Sequence, residues 1–300
     1  MRRLLYTGLA LAAGTLLMSL VAGEFLTRPA RAPIGPPPPD LAAEAVHIVY
    51  GDGQQVSGWF LPGRANEGAV LLLHGVRGSR LQMLERARWL QSEGIAALLI
   101  DLPSHGESSG ERISFGRREA LGVEAALGWL RARLPGEKLG GIGVSLGGAS
   151  LLFADRQPEL DAVVLESVYP TITDAVQDRL VKRLGPAGAW AAPLLLLQIP
   201  LRLGVGVHEL RPIEAISAIR APVLVASGTA DLSTRWVETE QLFSAAPEPK
   251  ALWPVPGAGH EDLRDFDTRA YETRLLPWLQ SHLRKAPVQQ GQESLGKMAA

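Results

Sequence analysis

Short apolar runs alternate with longer amphipathic stretches along most of the chain after residue 45. Runs rich in Val, Leu, Ile and Ala are typical of parallel strands that helices cover on both faces. Six such runs predict strands at residues 69–73, 95–100, 139–144, 160–165, 222–226 and 250–255. The pattern therefore predicts an α/β fold with a mostly parallel sheet flanked by helices.

An antiparallel hairpin is predicted at the start of this sheet. Residues 46–50 and 56–61 have strand-like composition and flank Gly51-Asp52-Gly53. Glycine-rich segments between two such runs are typical of a tight reversal of the chain. The hairpin would give the parallel sheet an antiparallel edge.

About fifty residues, 170–220, separate two of the predicted strands, whereas such connections usually need about 2 to 6 residues. Part of this insertion, residues 185–201, is uncharged and could suggest a second membrane span. Three prolines interrupt it, at positions 186, 193 and 200, and a span does not fit between adjacent strands of one sheet. We predict a helical lid with an apolar underside instead.

The N-terminus has the pattern of a membrane-targeting segment. Arg2 and Arg3 precede twenty uncharged residues, 4–23, and a helix of that length rises about 30 Å, the thickness of a bilayer core. One interpretation is a retained single-pass anchor with the rest of the chain outside the cytoplasm. The other is a signal peptide cleaved at the small residues Val21-Ala22-Gly23, which would release a secreted or periplasmic protein.

Residues 28–40 contain six prolines, which exclude helix and central strand, so a linker is predicted that holds the first segment away from the rest. The predicted organisation is a targeting segment (1–23), a proline-rich linker (24–43), one α/β domain (44–284) with its lid at 170–220, and a disordered tail (285–300).

Composition narrows the choice of chemistry. Thirty basic and thirty-one acidic residues leave a net charge of -1. The chain therefore lacks the excess of basic residues that binds a phosphate backbone, and a nucleic-acid partner is not expected. The absence of cysteine excludes disulfides, thiolate zinc sites and a cysteine nucleophile.

A candidate nucleophile lies at the end of the predicted strand 139–144. The segment Gly143-Val144-Ser145-Leu146-Gly147-Gly148 joins this strand to a predicted helix at residues 149–154, the context of a nucleophile elbow. The glycines let neighbouring backbone approach the strained serine. The helix that follows would direct its free N–H groups toward an oxyanion.

Serine needs a base to remove its proton and an acid to orient that base. Of the three histidines after Ser145, His208 lies in the predicted lid and His282 on the last helix, which leaves His260 in a loop after a strand. Asp231 follows another strand in a glycine turn and is the preferred acid, whereas Glu166, which also ends a strand, is its competitor.

The backbone N–H groups of Leu146 and Val76 are the expected oxyanion-hole donors, because one follows the nucleophile and the other lies in the loop after residues 69–73. We interpret the segment from Asp101 to Ser108 as structural turn chemistry beside the site. His74, His105 and Asp101 match no metal-ligand spacing, so no metal site is predicted.

These motifs together resemble the α/β-hydrolase superfamily over residues 46–283, and look most like its small, N-terminally anchored serine hydrolases. The His-Gly loop at His74, the Asp-x-x-x-His-Gly-x-Ser segment at Asp101, the elbow, the Gly-x-x-Asp turn and the Gly-x-Gly-His loop occur in family order. Asp231 lacks the proline that often follows this acid in the family.

The resemblance implies hydrolysis of ester, thioester or amide bonds through an acyl-enzyme intermediate, without a cofactor. A serine at position 145, rather than aspartate, argues against the epoxide hydrolase and dehalogenase members. We expect a carboxylesterase or lipase-like enzyme acting on hydrophobic small-molecule esters and tied to the membrane by its N-terminal segment. The alternatives are a serine exopeptidase or amidase, and a non-catalytic binding protein on the same fold.

Overall fold

Strands and helices alternate from residue 44 onward, and this confirms the predicted α/β class. The structure, a computed structural model, describes residues 2–154 and 160–285. Its strands are β1 (Ala30–Arg31), β2 (Glu44–Tyr50), β3 (Gln54–Leu61), β4 (Ala69–Leu73), β5 (Ala96–Ile100), β6 (His105–Gly106), β7 (Leu139–Val144), β8 (Ala162–Glu166), β9 (Val223–Gly228) and β10 (Lys250–Val255). Its α-helices are α1 (Arg2–Thr27), α2 (Leu84–Ser92), α3 (Glu119–Arg133), α4 (Leu146–Phe153), α5 (Ile172–Leu184), α6 (Ala192–Leu196), α7 (Gln198–Leu203), α8 (Pro212–Ala215), α9 (Trp236–Ala245), α10 (Leu263–Phe266) and α11 (Thr268–Leu283).

The main sheet has eight strands in the order β10-β9-β8-β7-β4-β5-β3-β2. The hairpin of β2 and β3 is antiparallel and pairs with β5 in an antiparallel register, whereas the neighbours from β5 to β10 are parallel. Because the parallel strands run in one direction, the loops after β4, β7, β8, β9 and β10 meet at one edge, where ligands bind open α/β sheets.

Both faces of the sheet are covered by apolar packing. Along β4, Leu71 and Leu73 join one buried cluster while Val70 and Leu72 join the other, as the alternation of side chains along a strand requires. This double burial explains why the parallel strands appear in the sequence as nearly continuous apolar runs.

Several element boundaries differ from the sequence prediction by one to three residues. Strand β8 begins at Ala162 rather than at residue 160. Just before it, the Asp161 side chain accepts from the Leu139 N–H at 2.9 Å. Helix α4 begins at Leu146 rather than at residue 149. The pair Gly147-Gly148, which indicated a turn, lies inside the first helical turn. Close packing there leaves no room for side chains, which explains the two glycines.

The insertion between β8 and β9 consists of the short helices α5 to α8. Gly185 ends α5 with φ of 72°, and Pro193 and Pro200 lie in the short helices α6 and α7. Across residues 2–154 and 160–285, one helix is long and apolar enough to cross a membrane, over Tyr6–Thr27.

The expectation that residues 28–40 keep the N-terminal segment away from the rest is wrong. Strand β1 lies in this stretch and pairs in parallel with β6, while the backbone N–H groups of Ile34 and Gly35 donate to Glu107 at 2.9 Å. The prolines prevent a helix, but the residues between them still have backbone N–H groups, and those of Ala30 and Ala32 donate to carbonyls of the domain as well. Most of the predicted tail, residues 286–300, lies outside the described residues.

Candidate active site

Ser145 occupies a sharp turn between β7 and α4. Its backbone has φ of 49° and ψ of -109°, a conformation that side-chain-bearing residues rarely adopt and that persists only where the surroundings enforce it. Its N–H donates to the carbonyl of Glu166 at 2.8 Å, which ties the turn to the end of β8. The strained geometry is that of a nucleophile elbow.

The glycines around Ser145 allow this turn because backbone passes very close to them. A Cβ at position 143 would lie 2.5 Å from Gly148 Cα, and one at position 147 would lie 2.4 Å from the Leu73 carbonyl oxygen. Both distances are shorter than a carbon atom tolerates. The sequence-based steric explanation for these glycines therefore agrees with the packing.

Asp231 and His260 are brought together from the loops after β9 and β10. His260 Nδ1 lies 2.7 Å from Asp231 Oδ2, and the other carboxylate oxygen accepts from the N–H groups of Ser233 and Thr234 at 2.7 and 3.0 Å. Burial alone would raise the pKa of Asp231, but these hydrogen bonds and the His260 charge outweigh it, and the pKa is lowered. Asp231 is thus a buried carboxylate that favours the ionised form and contacts the imidazole of His260.

The hydroxyl of Ser145 forms no hydrogen bond within residues 2–154 and 160–285 and borders a cavity of about 730 Å³. Val76 and Leu146 border the same cavity, and their backbone N–H groups donate to no acceptor in that part of the chain. Two free N–H groups beside a serine hydroxyl provide what an oxyanion hole requires.

Glu166, the competing acid, is committed elsewhere. Its carboxylate accepts from Arg86 Nη2 at 2.7 Å and from the Tyr271 hydroxyl at 2.5 Å. Arg86 also bonds Asp262, two residues after His260, at 2.5 Å. Burial raises the pKa of Glu166 against the lowering effect of Arg86.

A cluster of charged and polar side chains lies next to the histidine loop (residues 256–262) and was not predicted from the sequence. It consists of the buried Arg86, Tyr271 and Glu166 and the partly buried Asp262. The side chains of Arg86 and Tyr271 are buried, yet neither stands in a motif. A buried arginine on an amphipathic helix has no signature in a single sequence, because its partners come from segments far along the chain.

His74, at the start of the loop 74–78 that is called the oxyanion loop for its expected role, lies against His105, with ring centroids 5.1 Å apart. His74 Nδ1 donates to the Gly75 carbonyl at 2.7 Å, and its Nε2 accepts from the Leu102 N–H at 3.0 Å. Asp101 accepts from Arg80 and the Glu107 N–H. Among the described residues, no group of three histidine or carboxylate side chains is placed to hold a metal ion.

This histidine pair predicts acid sensitivity. Burial lowers the pKa of both His74 and His105 to about 4, below their unfolded value of about 6.5. The stabilisation from keeping both rings neutral is complete above pH ~6.5 and is lost as the pH falls through about 4, by up to ~3 kcal/mol for each ring. Urea unfolding between pH 7.5 and 4.5 measures it.

The matched variant is His74→Gln, whose amide oxygen can still accept from Leu102. We expect a smaller loss of unfolding free energy on acidification in this variant than in the wild type. Equal slopes in the two proteins would contradict the assignment.

Comparison with known proteins supports the fold independently. Residues 64–209 match the sequence family described as serine aminopeptidase, S33. The uncharacterized protein Rv2307c of Mycobacterium tuberculosis is 31% identical over 232 residues, which cover 76% of each chain. The uncharacterized protein YfhR of Escherichia coli is 25% identical over 279 residues, covering 89% of this chain and 90% of YfhR.

Among solved structures, the Pyrococcus furiosus esterase Pf2001 superimposes with a TM-score of 0.70 at 22% identity, covering 85% of this chain and 99% of that esterase. This similarity concerns the fold. Taken with the sequence relatives, it shows that the chain is a member of the α/β-hydrolase superfamily.

Proposed function

We propose that the protein is a serine hydrolase that cleaves carboxylic ester or thioester bonds of hydrophobic substrates through an acyl-enzyme intermediate. The observation that carries this proposal is the 2.7 Å contact between His260 Nδ1 and Asp231, at the sheet edge where Ser145 borders an apolar cavity. Serine, base and orienting acid are the groups that acyl transfer requires.

In acylation, Ser145 Oγ attacks the substrate carbonyl carbon while His260 Nε2 takes the hydroxyl proton. The charge that develops on the carbonyl oxygen is stabilised by the N–H groups of Val76 and Leu146. Collapse of the tetrahedral intermediate breaks the bond to the alcohol or thiol, which leaves with the proton from His260. Asp231 holds the imidazole and stabilises its charged form.

In deacylation, water attacks the acyl-serine carbonyl as His260 takes one of its protons. The second tetrahedral intermediate collapses, Ser145 recovers the proton from His260, and the carboxylic acid is released. Each step uses the same N–H donors. None requires a group beyond the chain and water.

The cavity lining favours an apolar acyl group over the charged N-terminus that an aminopeptidase binds. None of its described lining residues is an aspartate or glutamate, so a substrate ammonium group would lie there without a partner. Among the few polar side chains, Tyr169 donates to the Phe115 carbonyl at 2.9 Å and Arg179 to the Ala175 carbonyl at 2.9 Å. Ester substrates are therefore favoured over peptides that present a free N-terminus.

Helices α5 to α8 are proposed to act as the lid of this site. Helix α5 contributes Ile172, Ala175 and Val176 to the cavity wall, so the insertion borders the same cavity as Ser145. A cover of this kind would exclude water while the acyl group is bound.

A fluorophosphonate probe tests the proposal on the folded full-length protein. We expect covalent labelling of one residue, and peptide mass spectrometry should locate it at Ser145. Heat-denatured protein is the control, because only the assembled site activates the serine. Folded protein that resists the probe and hydrolyses no p-nitrophenyl ester would favour the non-catalytic binding protein.

A further inference from the structure

The last three turns of α1 form one wall of the cavity beside Ser145. Six of their residues border it: Leu17, Met18, Val21, Ala22, Phe25 and Leu26. The segment that the sequence marks as an anchor or signal peptide therefore forms part of the wall of the candidate active site.

Polar contacts hold α1 in this position. Gln198 Nε2 donates to the hydroxyl and the carbonyl of Ser19 at 2.8 and 3.1 Å. Arg202 bonds Glu24 at 2.5 Å and the Leu20 carbonyl at 2.8 Å. These hydrogen bonds hold α1 against α7, both in its position along its own axis and in its rotation about that axis.

The end of α1 is also joined to the oxyanion loop. Arg77, next to Val76, donates to the Phe25 carbonyl at 3.1 Å, and its guanidinium lies 4.7 Å from the centre of the Phe25 ring. Loss of the helix would therefore remove a support of the loop as well as a wall of the cavity.

The insertion beside α1 exposes large apolar side chains. Trp190 is 87% exposed and Leu201 is 86% exposed, and Leu197 is also exposed. Leu197 and Leu201 directly precede Gln198 and Arg202, the two residues that donate hydrogen bonds to α1. Exposed apolar side chains beside a helix able to span a bilayer are typical of a surface that contacts lipid.

We propose that the cavity holds the acyl chain of a membrane-lipid ester, with α1 retained as both anchor and acyl-pocket wall. This inference rests on the serine hydrolase function proposed above. A lipid would enter from the bilayer along α1 and bring its ester carbonyl to Ser145. Cleavage at Val21-Ala22-Gly23 would remove four of the six wall residues, so the working enzyme keeps the segment.

The test compares two tryptophan substitutions on α1 in the full-length protein, purified in detergent. Val21→Trp narrows the cavity, whereas Leu16→Trp places the same side chain at an exposed position that does not border it. We expect Val21→Trp to lower kcat/KM for p-nitrophenyl palmitate about tenfold or more and for p-nitrophenyl acetate less than about twofold. Leu16→Trp should leave both values within about twofold of the wild type.

Three results would overturn the inference. Equal effects of the two substitutions on the palmitate ester, or equal losses on palmitate and acetate for Val21→Trp, would refute the acyl wall while leaving the esterase intact. A mature N-terminus at or beyond Glu24, found by intact mass of protein isolated from membranes, would refute retention. Absence of Ser145-dependent turnover on both esters would overturn the hydrolase function itself.

Discussion

Replacement of Ser145 by alanine is expected to lower kcat for p-nitrophenyl ester hydrolysis by roughly 10⁵- to 10⁶-fold. Alanine removes the atom that would become bonded to the acyl group, and water alone must then attack the ester. The fold should persist, because the serine hydroxyl bonds nothing in the described residues 2–154 and 160–285. Steady-state rates and circular dichroism on the purified variant measure both effects.

Ser150→Ala is the matched control. Its hydroxyl lies in the same helix and donates to the Leu146 carbonyl at 2.7 Å, and it does not border the cavity. Activity within about tenfold of the wild type is expected, with a stability loss of about 1 kcal/mol from the missing hydrogen bond. Substantial turnover by Ser145→Ala would exclude this serine as the nucleophile.

The second large effect is expected from Asp231→Asn, which should lower kcat by about 10⁴-fold near neutral pH. An asparagine would keep its oxygen toward the Ser233 and Thr234 N–H groups and turn its NH2 toward His260 Nδ1. The imidazole would then carry its proton on Nε2, where it cannot accept the proton of Ser145. The pH profile of kcat/KM between pH 6 and 9 measures the change.

Glu166→Gln separates the two candidate acids. This substitution removes the charge that faces buried Arg86, so we expect a loss of stability of several kcal/mol with kcat per folded molecule within about tenfold of the wild type. If Glu166→Gln abolished turnover in a well-folded protein and Asp231→Asn did not, the assignment of the acid would be reversed.

The sheet and the elbow were predictable because each depends on local rules. Strands β4 and β7 are apolar throughout since helices cover both of their faces. The strand, the turn at Ser145 and the helix are contiguous in the sequence, although Gly147 is required by a contact with Leu73 far along the chain. Asp231 and His260 could be named because the parallel strands bring their loops to one edge. Their mutual contact follows from the strand order.

The position of α1 could not be predicted in the same way. Residues 4–23 are uncharged and mostly apolar, so the pattern specifies a span but no face that packs on protein. The contacts that dock it come from Gln198 and Arg202, about 180 residues away. The prolines between α1 and the domain indicated separation, and no local rule shows that β1 among them pairs with β6.

The cluster around Arg86 has a consequence for how the molecule opens. Arg86 lies on α2, Glu166 at the end of β8, Asp262 just after His260 and Tyr271 on α11, so four distant segments share one buried guanidinium. If the histidine loop unfolded alone, it would take Asp262 away and leave Arg86 Nη1 without its carboxylate partner, while Nη2 kept its bond to Glu166. Local opening of this loop therefore breaks an ion pair to a buried arginine, and this contact is expected to slow the exchange of the loop's amide hydrogens.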